Sequence, residues 1–319
     1  MNDRLDSLFT RIRNSCADVA ASARRVTIDH AAIAPYAEKL TRHIAPLSHT
    51  ADHHLLDRGN DTLAFFVILD TINFGSGWFP HLRKDGASGY FTLAKRLKQH
   101  CAAHGIPSAA ELARWTTQDC ARIFAQDPAD PHVQELMQLF ARALNVFGAW
   151  LTDLYGGDHL GFLRRARRAE EAVAALLIMP FFRDVAAYGD REVEFLKRAQ
   201  ILVHDLKIAA PGHPLLAFDD FAEMTIFADN IVPFVLRADG VLRYDARLDQ
   251  RIESGELIAS GSAEEIEMRA CAVHAAELVR AAMGRAVTAR EIDQALWLRG
   301  QEIRGKVATR PHLTRCTYY

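Results

Sequence analysis

No part of the chain approaches the roughly twenty consecutive apolar residues that a bilayer-spanning helix needs. Its opening, MNDRLDSLFTRIRNSC, is too charged for the apolar centre of a secretory signal. A cytoplasmic protein with no membrane partner is therefore expected. Charge of one sign is also missing: 38 Lys and Arg face 40 Asp and Glu, a net charge of −2. That balance leaves no electrostatic footprint for long nucleic acid, so the expected partner is a small molecule. There are only five cysteines, an odd number, and none forms a C-x-x-C pair. Cys16, Cys101, Cys120, Cys271 and Cys316 are expected as free thiols packed in the core. No G-x-x-x-x-G-K-[ST], dinucleotide fingerprint or G-x-S-x-G occurs, so kinase, hydride-transfer and hydrolase-elbow chemistry lose support. No Pro/Gly/Ser linker or internal repeat divides the 319 residues, and a single domain over 1–319 is the simplest organisation.

Helical periods dominate what is present. ALNVFGAWLTDLYGG repeats apolar residues every three or four positions and closes on Gly156 and Gly157. SAEEIEMRACAVHAAELVRAAMG opens on Ser262 with Glu265 three residues on, a capping-box pattern, and closes on Gly284. TAREIDQALWLRG repeats this design from Thr288 and Glu291 to Gly300. In FVLRADGVLRY, Asp239-Gly240 between short alternating runs predicts a tight hairpin. With half of its residues hydrophobic, the chain is expected to fold as a mainly α protein with one small β-hairpin.

TIFADNIVPFVL places Asp229 in an apolar run, where an ionised carboxylate must be paired, turned to solvent or used. If this stretch is helical, Pro233 removes a backbone donor and crowds the carbonyl of Asp229, so the helix bends and Asp229 faces the opening, with Phe227 as a wall. The alternative is that Asp229 and Asn230 cap or turn the chain and face water. His49 and His53 in HTADHHLLD share a helix face suited to metal, and LVHDLK pairs His204 with Asp205. These four residues support a second reading, a metal-dependent nucleotide phosphohydrolase. LDTINFGSGWFP sets Asp70, Asn73 and two glycines at the end of an apolar helix, as a pocket floor or a glycine-rich terminus.

LDTINFGSGWFP, FLKRAQILVHDL, FADNIVPFVLRADGVLRY, EIEMRACAVHAAELV, EIDQALWLRG and PHLTRCTYY follow one another here in the order of the queuosine salvage proteins, and from about residue 20 onward the chain resembles that family. The resemblance implies a helical fold similar to helix-hairpin-helix DNA glycosylases. The implied activity is hydrolysis of queuosine 5'-phosphate to queuine and ribose 5-phosphate, without cofactor or metal and without direct nucleic-acid contact. A monomer is expected.

Through the resemblance, Asp229 becomes the carboxylate beneath the anomeric carbon, where cationic, oxocarbenium-like charge develops. A 7-deazaguanine lacks N7, the usual protonation site of a departing purine, so the protein must hold the base by its other edges. Asp293 is the candidate acceptor for the N1–H and exocyclic amine, with Trp297 one turn further on the same helix face and Phe227 as the opposite wall. Lys197, ahead of Arg198, matches a family lysine suited to the 5'-phosphate, and His54 the family's substrate-contacting histidine. A third reading, from another class, is a queuine carrier without turnover.

Overall fold

A helix starts where a short polar side chain accepts from the first backbone N–H groups, which have no partner within the helix. This chain supplies such residues repeatedly. The side chains of Ser7, Ser88, Asp130, Ser262 and Thr288 each accept from N–H groups one turn on. The computed structural model describes residues 6–46, 48–84, 86, 88–284 and 287–319. It opens with α1 (Leu8–Ser22), β1 (Val26–Ile28) and α2 (His30–Thr41). Seven helices follow: α3 (Asn60–Thr71), α4 (Gly89–His104), α5 (Ala109–Leu112), α6 (Thr117–Ile123), α7 (Pro131–Tyr155), α8 (Gly161–Arg165) and α9 (Ala169–Leu176). Strands β2 (Val185–Tyr188) and β3 (Arg191–Glu194) lead into α10 (Lys197–Ala209). The remainder is α11 (Ile231–Ala238), β4 (Leu242–Tyr244), α12 (Ala246–Glu253), α13 (Ala263–Ala282) and α14 (Ala289–Ile303). The protein is thus mainly helical, with two small antiparallel strand pairs among the described residues.

Packing groups these elements into two units, neither of them continuous in sequence. The first comprises residues 1–47, 184–200 and 220–316, the second 48–183, 201–219 and 317–319. In the second unit α7 is the long central helix, packed against α3, α5, α6 and α8, and it ends as expected on Gly156 in the left-handed conformation. In the first unit α13 is the spine, touching α1, α2, α11, α14, β1 and β4. It is buried nearly all round and carries charge into the core: Glu265, Glu267 and Arg269 are all buried. Glu267 answers its burial with donors. Its Oε2 accepts from the backbone N–H groups of Arg24, Arg25 and Val26 at 3.0, 2.6 and 3.1 Å, and its Oε1 from the Tyr188 hydroxyl at 2.8 Å. All five cysteines are free and buried.

Two local expectations are corrected. FVLRADGVLRY is not a hairpin: its first half completes α11, Gly240 takes φ +82° after the helix end, and Leu242–Tyr244 pairs with the distant Val26–Ile28. The apolar face of α11, buried from Ile231 to Leu236, outweighs the turn signal of Asp239-Gly240. The hairpin of the fold lies at β2 and β3 instead, turning through Gly189-Asp190. The second correction concerns Gly300, which does not stop α14 but lies within it. A Cβ there would sit 2.4 Å from Cγ2 of Ile231 and 3.2 Å from Cγ2 of Val235, both on α11. The glycine is where α14 and α11 approach closely. Gly300→Ala is accordingly expected to lower stability by about 1–3 kcal/mol through overpacking, read as a lower melting temperature; an unchanged melting temperature would show that the two helices separate freely.

Candidate active site

Residues Met224 to Ala228 are buried yet belong to neither helix nor strand, so side chains must supply their backbone hydrogen bonds. Gln200 Oε1 accepts from the Thr225 N–H at 3.0 Å, and Gln200 Nε2 donates to the Thr225 hydroxyl at 3.0 Å. Asp293 Oδ1 accepts from the Phe227 N–H at 2.6 Å. Arg269 Nε donates to the Ala228 carbonyl at 2.8 Å. Just beyond, Asn230 Nδ2 donates to the carbonyl of His312 at 3.2 Å. Each partner comes from a different stretch of the first unit.

Asp229 sits at the end of this segment, half-buried. Its Oδ1 accepts from Ile231 N and Val232 N at 2.7 and 3.1 Å, so the side chain caps α11. Among the described residues no protein group donates to Oδ2. The expected Pro233 bend is therefore corrected: Asp229 precedes the helix, Pro233 is its third residue, and the N–H that proline lacks would have no partner within the helix in any case. The capping reading of Asp229 is the one seen in its Oδ1. Electrostatically, Asp229 is attracted by Arg304 and repelled by Asp293.

Asp293 is buried on α14. Burial pushes its carboxyl above the usual range, Arg290 and the Phe227 N–H oppose this, and Asp229 adds to it. Arg290, one turn earlier, reaches Asp293 Oδ2 with Nη1 at 3.3 Å, and its guanidinium carbon lies 3.2 Å from the centre of the Phe227 ring. Both carboxylate oxygens of Asp293 are thus engaged, and one face of Phe227 is covered. Trp297 follows Asp293 by one turn of α14 and is partly exposed. Lys197 opens α10, is buried, and donates its backbone N–H to Asp184 Oδ2 at 3.3 Å. Arg198 beside it is fully buried. The first unit therefore brings Phe227, Asp229 and Asp293 together and adds Arg290, which sequence reasoning missed. The signal was its place three residues before Asp293 on a well-capped helix.

His54 belongs to the second unit. It is buried against Phe66, with ring centroids 5.2 Å apart. Its Nδ1 lies 3.1 Å from the Thr50 carbonyl, which only accepts, so Nδ1 carries the proton and Nε2 accepts from the Tyr90 hydroxyl at 3.0 Å. His49 Nε2 turns to the Asp205 carbonyl at 3.2 Å and His53 Nδ1 to the Thr50 hydroxyl at 3.0 Å. Among the described residues no three His, Cys, Asp or Glu side chains converge as a metal-holding group.

Comparison with known proteins gives these residues a context. The family described as queuosine salvage protein matches residues 53–319. The chain belongs to this family. It is 38% identical to a queuosine 5'-phosphate N-glycosylase/hydrolase of Sphaerobacter thermophilus, covering 99% of this chain and 98% of the relative. A mouse protein of the same name is 30% identical over 96% of this chain and 98% of its own length, and a bovine one 30% over 99% and 100%. His54, Lys197, Phe227, Asp229, Asp293 and Trp297 all fall within the span matched to the queuosine salvage family.

Burial lowers the pKa of His54 from 6.5 to about 3. The unfolded chain binds this proton near pH 6.5 while the folded protein stays neutral, so the associated stability is present above pH 6.5 and lost as pH falls toward 3. His54→Gln is expected to flatten the loss of stability between pH 6.5 and 4 by up to about 1.4 kcal/mol per pH unit, measured by denaturant unfolding at several pH values; parallel curves for the two proteins would contradict a neutral buried imidazole.

Proposed function

We propose that this queuosine salvage protein hydrolyses the N-glycosidic bond of queuosine 5'-phosphate, releasing queuine and ribose 5-phosphate. The observation that carries the reading is the Asp229 carboxylate, held by two amide donors through one oxygen at the end of a buried segment pinned at four points. As the base departs, positive charge spreads over the ribose C1' and ring oxygen. A preorganised carboxylate beneath it stabilises that charge without having to reorient, and shielding from water strengthens the effect.

In the same reading, Asp293 meets the guanine-like edge of the base with the lone pairs that Phe227 and Arg290 leave, since each carboxylate oxygen accepts more than one hydrogen bond. Phe227, backed by the Arg290 guanidinium, and Trp297 wall the base. Lys197 answers the 5'-phosphate. The substrate contact assigned to His54 rests on the family resemblance. The reading includes a single helix-hairpin-helix-like catalytic domain, monomeric and cytoplasmic, acting on a free nucleotide without metal or direct nucleic-acid contact.

The test is release of queuine from queuosine 5'-phosphate in the presence of chelator, wild type beside Asp229→Asn. An asparagine oxygen still caps α11, so the substitution removes charge and spares the fold. A fall in kcat of at least about 100-fold, with the melting temperature retained, is the expected result. Equal turnover by both proteins would remove Asp229 from the chemistry. Chelator-sensitive release of inorganic phosphate would point to a phosphohydrolase, and tight queuine binding without turnover to a carrier.

A further inference from the structure

EIEMRACAVHAAELV carries family resemblance but no role in the chemistry described above. Its arginine, Arg269, has nearly every donor in use while fully inside the first unit. Nε donates to the Ala228 carbonyl at 2.8 Å. Nη1 and Nη2 grip Asp184 in a two-point fork at 3.0 and 2.5 Å, and Nη1 also meets Glu265 at 3.2 Å. The guanidinium carbon lies 3.9 Å from the centre of the Phe195 ring.

The two ends of this arrangement lead to two assigned site residues. The Ala228 carbonyl is in the peptide group that joins Ala228 to Asp229. On the other side, Asp184 organises the entry into α10: its backbone carbonyl accepts from Phe195 N and Leu196 N at 3.0 and 3.2 Å, and its Oδ2 from Lys197 N at 3.3 Å. Leu196 is held there at φ +52°, a left-handed conformation that a residue with a side chain adopts only when its surroundings impose it. A buried ion pair that served stability alone would need neither the peptide of the carboxylate nor a strained turn ahead of the lysine.

We infer that Arg269 is a positioning residue for base release, setting Asp229 through the Ala228 carbonyl and Lys197 through Asp184. The inference rests on the reading of Asp229 as the carboxylate of the reaction. Only an arginine fork spans these acceptors together; a lysine ammonium keeps the charge but not the planar geometry. Glu267, buried on the same helix, holds the backbone N–H groups of residues 24–26 and the Tyr188 hydroxyl, so it serves as the control.

Four variants decide the matter: Arg269→Lys, Asp184→Asn, Glu267→Gln and Asp229→Asn, each measured for melting temperature and for kcat and KM of queuine release. Arg269→Lys is expected to lower kcat of the folded protein roughly 10- to 100-fold with KM near the wild-type value, the scale expected for misplacing a reacting group. Asp184→Asn is expected to lower kcat and also to raise KM, since it frees the turn before Lys197. Glu267→Gln is expected to lower the melting temperature while kcat stays near that of the wild type. Loss of activity in Asp229→Asn with full kcat in folded Arg269→Lys would overturn the inference alone, as would an equal loss of kcat in Glu267→Gln. Should Arg269→Lys not fold, Asp184→Asn decides by the same criterion. Equal release by wild type and Asp229→Asn would overturn the reading of Asp229 and this inference with it.

Discussion

Polar backbone buried outside helices and strands has to be satisfied by side chains, and the first unit is organised around that demand. From Met224 to Asn230 the chain runs through the interior without a regular ladder, and Gln200, Arg269, Asp293 and the His312 carbonyl answer it from four separate places. An unmet buried donor or acceptor costs about 1–3 kcal/mol, and breaking a buried ion pair by removing one partner about 3–5 kcal/mol. The conformation of this segment is therefore fixed many times over. Charge in the middle of α13 becomes intelligible in the same terms: Arg269 balances Asp184 and Glu265 while serving the Ala228 carbonyl, and Glu267 fastens the backbone at the start of β1.

That rigidity is what a glycosidase of this kind requires. A carboxylate that stabilises a short-lived cationic sugar gains most when it is already in place, because any reorganisation adds to the barrier. In the proposed reaction Asp229 meets this through a division of labour within one side chain: the oxygen that caps α11 fixes the other. Asp293 and Arg290 act in a comparable way from α14, since the carboxylate that holds the Phe227 backbone is itself held by the guanidinium lying on the Phe227 ring.

The sequence displayed some of this and concealed the rest for physical reasons. Helices α7, α13 and α14 were legible because their signals are local: Gly156 stops the first, and Ser262 and Thr288 start the others, although Glu265 turns to the Gly261 N–H where a full capping box would have reached Ser262. Asp239-Gly240 misled because β4 pairs with β1, more than two hundred residues away, and local pattern cannot weigh so distant a partner. Gly300 misled because tight contact with Ile231 calls for glycine as much as a helix end does. The importance of TIFADNIVPFVL was visible as a charge in an apolar run, but its conformation was not, since Gln200, Asp293 and Arg269 converge on it from up to 66 positions away. Family resemblance supplied the proposed chemical roles; no periodicity would have linked Asp184 to Arg269 across 85 residues.

In the proposed reaction, Asp229 stabilises a sugar that becomes cationic as the base leaves. The most direct measurement of this is the secondary deuterium isotope effect at C1' of queuosine 5'-phosphate, read from single-turnover release of queuine by the wild-type protein. A normal effect, clearly above unity, is predicted, because C1' loosens toward planar geometry before water or carboxylate closes on it. An effect at unity in the base-releasing step would mean that no such cation develops and would contradict the role given to Asp229.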